Sequence, residues 1–349
     1  MTDSWRPHLH SWRPHLDSGQ VIPACPLALC EDGRWSPSHQ RALVRYYFDA
    51  GAGGVAAGVH TTQFAIRSHG LYEPVLRTIS ETLDERLADA SRPMVRIAGI
   101  CGDTSQAIAE AECARGFGYH AGLLATHQLR DQQEEQVLAH CRILAEVIPV
   151  FGFYLQPSVG GRVYSLRFWR QFCEIENVVA IKIAAFNRYR TLDVIRAVIE
   201  SGRDDIALYT GNDDNIINDL LTPFRFGGRE RRVVGGLLGQ WAVWTKQAVE
   251  MFEGIKQARD RQSIPAEWLA ENAKLTDANG AIFDAANGFA GCIPGVNEVL
   301  HRQGLVPSSR CLDVGEVLSP GQSEELDRVC ADHRDEDAYI AANLDRWLS

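Results

Sequence analysis

The sequence predicts a (β/α)8 barrel, the TIM-barrel class, followed by a C-terminal helical extension. Eight short apolar runs occur between residues 21 and 238, and helical stretches alternate with them. No Gly-x-Gly-x-x-Gly segment follows the first run, which disfavours the second candidate, a doubly wound open sheet. The strand pattern stops near residue 261, so we expect a barrel over residues 21–264 and helices over residues 265–349.

The individual elements follow from hydrophobic period and from helix-start signals. Strands are expected at 21–24, 54–59, 95–100, 121–126, 150–155, 178–183, 206–210 and 233–238. The clearest helices are expected at 36–50, 104–115, 131–148 and 165–173. Residues 1–20 contain the hexapeptide Ser-Trp-Arg-Pro-His-Leu twice, with two prolines and no apolar period. We therefore expect these twenty residues to form a flexible tail or an oligomer arm outside the core.

Composition narrows the class of partner. The chain has 349 residues and a formal net charge of −10, which argues against nucleic acid or an anionic membrane as its main partner. It contains no apolar run near the ~20 residues of a membrane span, and its first residues lack the apolar core of a secretory signal. Nine cysteines without a Cys-x-x-Cys pair are typical of reduced thiols, so a cytoplasmic location is expected.

Lys182 is the most informative residue. The chain has 35 cationic side chains, of which 31 are Arg and four are Lys, and one of these four lies in the apolar run 177–185. A desolvated Lys can lose its proton, whereas Arg cannot, and a neutral amine attacks carbonyl groups. This position points to Schiff-base chemistry. The alternative is a lysine at a strand end that extends its amine to solvent.

Strand alternation predicts which side chains enter the barrel lumen. In the sixth strand, Lys182 shares its face with Ala180 and Ala184, which predicts an inward-pointing amine. In the fifth strand, Tyr154 and Gln156 are expected to face inward together with Gly152. The bulky residues Phe151, Phe153 and Leu155 are then expected to face the helices. Adjacent strands would thus bring an amine and a phenol together at the end where barrel enzymes build their sites.

Several segments in order resemble the dihydrodipicolinate synthase and N-acetylneuraminate lyase family, the Schiff-base pyruvate aldolases. Val-Ala-Ile-Lys at 179–182 resembles its Schiff-base strand, and Phe-Tyr-Leu-Gln-Pro at 153–157 resembles its Tyr-Asn-x-Pro loop. Gly-Val-His-Thr-Thr-Gln-Phe at 58–64 is similar to its Gly-Thr-Thr-Gly-Glu loop. Further similarities lie at 97–102, 209–213, 235–239 and 295–300. The resemblance extends over residues ~20–325 and implies the barrel fold.

The resemblance also implies roles for individual residues. Lys182 would form an imine with a 2-keto acid such as pyruvate, without any separate cofactor. Tyr154 would relay protons, or would instead be a packed aromatic residue. Thr61 and Thr62 would hold the substrate carboxylate through hydroxyl and amide groups, or would instead cap a helix. Gly211 and Gly236 would border the substrate. A homo-oligomer, either a dimer or a tetramer, is implied as well.

Departures from the family pattern limit this expectation. The arginine that often follows the Tyr-Asn-x-Pro loop is missing, and the nearest one, Arg162, is displaced by three positions. The fourth-strand loop at 124–128, Leu-Ala-Thr-His-Gln, lacks the family tyrosine, so dihydrodipicolinate synthase activity itself is not expected. His60 and His127 could replace that relay or bind a hydroxylated substrate, or could be structural. Gln156 suggests a changed acceptor pocket, with a neutral polyol or an aromatic aldehyde as the distal part of the substrate.

Other possibilities remain open from the sequence. Asp213 and Asp214 follow the seventh strand, and we expect them to cap the next helix rather than to bind a divalent metal. The leading function is a class I aldolase or lyase. The alternatives are a dehydratase or hydratase that uses the same imine, and a barrel that has lost catalysis and binds a partner. A metal-dependent hydrolase is a weaker candidate, because paired histidines are missing from the first strand.

Overall fold

A computed structural model describes residues 9–88, 90 and 92–349. Eight parallel strands form one sheet, and they are β1 Val21–Pro23, β2 Gly54–Ala57, β3 Val95–Ile100, β4 Ala121–Leu124, β5 Val150–Leu155, β6 Val178–Ala184, β7 Ala207–Thr210 and β10 Gly235–Leu238. Their order in the sheet is β1-β10-β7-β6-β5-β4-β3-β2. The sheet closes between its outer members, because Ala24 bridges Ala56 and the amide of Cys25 donates to the Ala56 carbonyl at 2.8 Å. This architecture confirms the predicted (β/α)8 barrel.

Helices surround the barrel and continue beyond it. The helices up to the last barrel unit are α1 Leu9–Asp17, α2 Pro37–Asp49, α3 Tyr72–Leu87, α4 Thr104–Gly116, α5 Glu134–Val147, α6 Leu166–Cys173, α7 Arg188–Ser201, α8 Ile216–Leu221 and α9 Thr245–Arg259. The predicted C-terminal extension consists of α10 Glu267–Ile282, α11 Cys292–Arg302, α12 Gln322–Cys330 and α13 Arg334–Leu348. Within the described ranges, no helix is long and apolar enough to cross a membrane.

A short antiparallel hairpin between β7 and β10 was not predicted. Its strands are β8 Phe224–Phe226 and β9 Arg229–Arg231, joined through Gly227 and Gly228, which both have positive φ. Most of its side chains are charged and solvent-accessible, so this segment lacks the apolar period by which buried strands are recognised.

Buried side chains form two separate cores, one inside the barrel and one between the barrel and its helices. The lumen core is built from inward-facing strand residues such as Phe151, Phe153, Ala180, Ala184 and Tyr209. The outer core is larger and joins the other strand faces to the helices. Trp241 and Trp244, which follow the last barrel strand, are both buried within this chain.

Helix α1 closes the amino-terminal end of the barrel. Trp12 and Leu16 lie one helical turn apart and are both buried in the lumen core. The ring of Trp12 stacks on His120 at 5.2 Å, and the hydroxyl of Tyr209 donates to the Leu16 carbonyl at 2.6 Å. The expected tail outside the core is therefore not found from residue 9 onward, because these apolar side chains fill the lumen. Residues 1–8 lie outside the described residues.

The C-terminal extension is anchored to the barrel by a buried carboxylate. Glu336 of α13 accepts hydrogen bonds from the hydroxyl of Tyr46 at 2.7 Å and from the amides of Lys246 and Gln247 at 3.1 and 2.8 Å. Two of these donors lie in the first turn of α9, where the helix dipole also favours a negative charge. The extension is thereby fixed against α2 and α9, and its preceding segments are held over the barrel mouth.

Candidate functional site

Lys182 lies in the barrel lumen near the carboxyl end of β6. Its amine stands 4.5 Å from the ring centroid of Phe153, the residue with which it is paired in β5. In the described part of the chain, no carboxylate oxygen lies within 4.0 Å of this amine. Burial lowers the pKa of Lys182, and the negative charge of Asp213 opposes that change. The inward-pointing amine predicted from alternation is therefore present.

Gly211 gives this lysine its space. A Cβ at residue 211 would stand 2.5 Å from Cε of Lys182 and 2.9 Å from Cβ of Ala184. Both separations are far below ordinary carbon–carbon contact. Gly211 directly follows β7 and lies beside the reactive side chain, as the sequence predicts, and here the backbone must approach the lysine closely.

Two ionisable side chains share the electrostatic environment of Lys182. Burial raises the pKa of the Asp213 carboxyl, and the positive charge of Lys182 opposes the rise. Oδ1 of Asp213 is buried and has no hydrogen-bond partner among the described residues. Burial lowers the pKa of His60 to about 4, with further contributions from Lys182 and His127. His60 is therefore a neutral imidazole near pH 7 and can accept a hydrogen bond through its unprotonated ring nitrogen.

From the sequence, Asp213 was predicted to cap the helix after the seventh strand. Helix α8 has Asn215 at its N-cap position without a side-chain cap hydrogen bond, so the predicted cap is wrong. Asn212 instead accepts from the amide of Phe186 at 2.9 Å and donates to the buried Asp219 at 2.9 Å. This network fixes the loop after β7. As a result, the Asp213 side chain lies close enough to Lys182 for each charge to shift the other's pKa.

Thr61 and Thr62 lie in the loop after β2. Their hydroxyls donate to the carbonyls of Ala24 and Cys25, both at 2.7 Å, and so hold the ends of β1 and β2 together. The hydroxyl of Thr62 also accepts from the amide of Val59 at 3.1 Å. The backbone amides of both threonines have no acceptor among the described residues. The amides rather than the hydroxyls are thus available to an anion.

Tyr154 does not enter the lumen, so the predicted orientation of β5 is wrong. Its ring is completely buried in the outer core, 5.0 Å from the ring of Trp169, and its hydroxyl accepts from the Tyr164 amide at 3.3 Å. The phenyl rings of Phe151 and Phe153 occupy the lumen instead. The amine of Lys182 therefore faces an aromatic ring and not a phenol.

The aromatic side chains of α6 account for this orientation. A Cβ at Gly152 would meet the ring of Phe172 at 2.7 Å, so the small residue lies where a helix aromatic needs space. The pairing of β5 with β6 also shifts in register between Val150 and Phe151. Since both faces of a barrel strand are buried, residue size alone does not reveal which face is inward.

Two further predicted residues are also turned away from the amine. Gly236 has the ring of Trp241 where its Cβ would stand, at 2.5 Å, so it leaves no room for a substrate. Gln156 is buried directly after β5. It follows Leu155, a member of the lumen core, so alternation places Gln156 on the opposite face.

His60 and His127 are brought together by an aromatic residue. The ring of Phe64 stacks on His127 at 4.2 Å and lies 5.7 Å from His60. All three residues line a cavity of about 420 Å³ at the carboxyl end of the barrel. The other lining residues are Gln63, Ala65, Ser158, Val159, Phe289, Ala290, Cys292, Ile293, Asp313 and Glu316.

The C-terminal extension forms one wall of this cavity. Cys292 lies at the start of α11, and its thiol shares the electrostatic environment of Lys182: burial and then Asp213 raise its pKa, while Lys182 lowers it. Gln63 has a φ of 69°, and its Oε1 accepts from the amide of Leu312 at 2.6 Å. This bond fixes the extension to the loop after β2. Sequence reasoning missed Cys292, because its distance along the chain from Lys182 gives no local signal.

Among the described residues, no group of three or more His, Cys, Asp and Glu side chains has the geometry to hold a metal ion.

Comparison with known proteins gives consistent matches. The family model described as the dihydrodipicolinate synthetase family matches residues 17–227. A 4-hydroxy-tetrahydrodipicolinate synthase of Ruthia magnifica subsp. Calyptogena magnifica is 25% identical over 273 residues, which cover 77% of this chain and 83% of the relative. The enzyme of the same name from Thiobacillus denitrificans is 26% identical over 195 residues, or 55% of this chain and 62% of the relative.

Solved structures show the same barrel. The dihydrodipicolinate synthase from Acinetobacter baumannii complexed with pyruvate superposes with a TM-score of 0.73 at 21% identity, covering 92% of this chain and 99% of that structure. CdNal from Clostridium difficile, in complex with mannosamine, gives a TM-score of 0.70 at 14% identity and covers 90% and 98%. At these identities the similarity establishes the fold alone.

Proposed function

Because this chain belongs to the dihydrodipicolinate synthetase family, we propose that it is a class I aldolase or lyase that forms an imine between Lys182 and a 2-keto acid such as pyruvate. The observation that carries this proposal is the buried Lys182 amine, which lies in the lumen at the carboxyl end of β6. Burial favours the neutral amine that the reaction requires.

The proposed chemistry starts with attack of the neutral amine on the keto carbon. The resulting carbinolamine loses water and becomes an iminium ion, which withdraws electrons from the neighbouring carbon. A C–C bond at that carbon can then break or form, and hydrolysis of the imine returns the free lysine. A dehydratase or hydratase would use the same imine, so this step is common to both forms of the proposal.

The substrate carboxylate is assigned to the loop after β2. The free backbone amides of Thr61 and Thr62 supply two donors, and an anion satisfies such donors without the need for a cationic side chain. The hydroxyls of the two threonines donate hydrogen bonds to backbone carbonyls and so hold the loop in place. The binding groups would therefore be preorganised before the keto acid arrives.

Proton transfer is assigned to Asp213 in place of Tyr154. The Asp213 carboxylate, with its unpartnered buried Oδ1, is suited to accept the proton that the Lys182 ammonium must lose. His60 is a weaker base, because burial lowers its pKa to about 4, and is assigned a hydrogen-bonding role. Tyr154 is excluded from this role by its position, because its hydroxyl is bound to the Tyr164 amide in the outer core.

Reductive trapping tests the imine. The wild-type protein would be treated with pyruvate and borohydride, and the adduct would be located by intact mass and peptide mapping. We expect a single reduced adduct on Lys182, its loss in Lys182→Met, and unchanged labelling in Lys256→Met, a solvent-accessible lysine of α9. If folded wild-type protein gives no adduct with any 2-keto acid, the proposed function is wrong, as it is if the adduct maps to a surface lysine.

A further inference from the structure

The cavity that contains His60 and His127 carries acidic groups and neither lysine nor arginine among its described lining residues. Asp313 and Glu316, both from the C-terminal extension, line it together with His60 and His127. Burial and the charge of Asp313 raise the pKa of Glu316, as expected for carboxyl groups that lack a cationic partner. A carboxylate placed in this cavity would meet like charges.

Two arginines that lie close in sequence to residues lining the cavity donate hydrogen bonds elsewhere. Arg67 donates from Nε and Nη2 to the buried carboxylate of Glu110, at 2.9 and 2.8 Å, from Nη1 to the Gly58 carbonyl, and from Nη2 also to the Gly99 carbonyl. Arg162, which is displaced by three positions from the place of the family arginine, donates from Nη1 to the carbonyls of Arg130 and Gln132 at 3.0 and 2.6 Å. Neither Arg67 nor Arg162 lines the cavity.

The cavity also holds polar groups without a protein partner. Gln63 is 3% exposed, and its Nε2 has no hydrogen-bond partner while its Oε1 is held by the Leu312 amide. Nδ1 of His127 is likewise buried and unpartnered among the described residues. Unsatisfied buried groups are costly, so a ligand that offers both donors and acceptors would stabilise this wall.

This cavity adjoins the lumen core that surrounds the reactive amine. Phe64 and Val159 line the cavity and also pack against the lumen core, which includes Phe153, the ring that lies 4.5 Å from the Lys182 amine. A molecule bound in the cavity would therefore lie beside the part of the lumen that holds Lys182. The volume of about 420 Å³ is within the range of small-molecule sites, and Phe64 and Phe289 give it an apolar floor.

We propose that the second substrate is an aldehyde that carries hydroxyl or amino groups and no carboxylate, with Asp313 and Glu316 as the residues that specify it. The inference rests on the proposed imine function. Loss of a proton from the imine's methyl carbon gives an enamine, which attacks the aldehyde carbon. The aldehyde oxygen takes up a proton and becomes a hydroxyl, and water then releases the product from Lys182, so no oxidant or reductant is needed.

The test compares two four-carbon aldehydes on protein that has not been treated with borohydride, while a separate sample establishes the pyruvate imine by trapping. Erythrose carries hydroxyls, and succinate semialdehyde carries a carboxylate at a matched chain length. Pyruvate consumption would be followed for each aldehyde with the wild-type protein. We expect kcat/KM for erythrose to exceed that for succinate semialdehyde by at least about tenfold, because the carboxylate approaches two acidic groups, the partly buried Glu316 and the exposed Asp313.

Variants identify the residues that set this preference. The double variant Asp313→Asn, Glu316→Gln should reduce the ratio of kcat/KM for erythrose to kcat/KM for succinate semialdehyde by about tenfold. The reason is that it removes both negative charges while keeping the size of the side chains. Glu324→Gln, an exposed position in α12, is the matched control and should keep the wild-type ratio. Three outcomes would overturn this inference but leave the proposed imine function standing. They are a preference for succinate semialdehyde, no turnover of either aldehyde although pyruvate forms the imine, and a ratio of kcat/KM values that is unchanged in the double variant. Failure to trap any imine overturns the proposed function together with this inference.

Discussion

Gly211→Ala is the sharpest test of how the reactive lysine is positioned. The added Cβ would stand 2.5 Å from Cε of Lys182 and 2.9 Å from Cβ of Ala184. To reach a carbon–carbon separation of ~3.5 Å, the lysine end would have to move by about 1 Å. The φ of Gly211 is not in the left-handed region, so the backbone itself tolerates alanine and the effect falls on the side chains.

Two magnitudes follow from this displacement. Overpacking against Ala184, which is part of β6 and has no flexible end, should reduce the free energy of unfolding by ~1–3 kcal/mol. A displacement of the amine by about 1 Å should reduce the rate of imine trapping by about 100-fold. A 100-fold reduction in rate corresponds to about 2.7 kcal/mol in activation free energy, so the effects on rate and on stability are expected to be of similar size.

The assay measures both quantities on the same samples. Urea denaturation gives the free energy of unfolding, and borohydride trapping at saturating pyruvate gives the rate. Gly280→Ala is the control, because Gly280 lies within α10 and a Cβ there would meet nothing within 4 Å. A Gly211→Ala protein that traps pyruvate as fast as wild type would refute the close approach of Gly211 to Lys182.

Two further predictions concern buried charges. The Asp213 carboxylate raises the pKa of Lys182 against the effect of burial. Asp213→Asn should therefore lower the pKa of Lys182 and move the half-maximal pH of imine trapping down by about one unit. A shift to higher pH would contradict the placement of Asp213 near Lys182. Glu110→Gln leaves the buried guanidinium of Arg67 without its charge partner and should cost ~3–5 kcal/mol in urea denaturation, whereas Glu112→Gln, exposed on the same helix, should match wild type.

The barrel could be predicted from sequence because its signal is local and repeated. Each buried strand is a short apolar run, and the helix that follows it has apolar residues at helical spacing. Because this strand–helix pattern recurs eight times, the repeats together predict the barrel. The hairpin of Phe224–Phe226 and Arg229–Arg231 was not predicted, because charged strands at the surface lack an apolar run. Helix α1 was predicted to be a tail because residues 1–20 contain two prolines. The apolar residues Trp12 and Leu16 gave no local signal, since their contacts are with strands distant in sequence.

The candidate site was predictable only in part, for a related reason. Lys182 stood out through residue type and position, and strand alternation placed it correctly in the lumen. Alternation failed for Tyr154, because aromatic residues of α6 and a register shift decided which face of β5 is inward. Asp213 resembles an ordinary helix cap in sequence, and Cys292 is supplied by the extension. Their proximity to Lys182 exists only once the chain has folded.

The arginine-rich composition makes the reactive amine observable in the intact protein. The chain has four lysines, of which Lys246, Lys256 and Lys274 lie in α9 and α10 and pair with surface carboxylates. Lysine labelled with a stable isotope would therefore introduce four probes, three in near-aqueous surroundings and one against the ring of Phe153. The aromatic ring should displace the Lys182 resonance from the other three. Its nuclear magnetic resonance signal would then report protonation, imine formation and product release during turnover, with no substitution in the site.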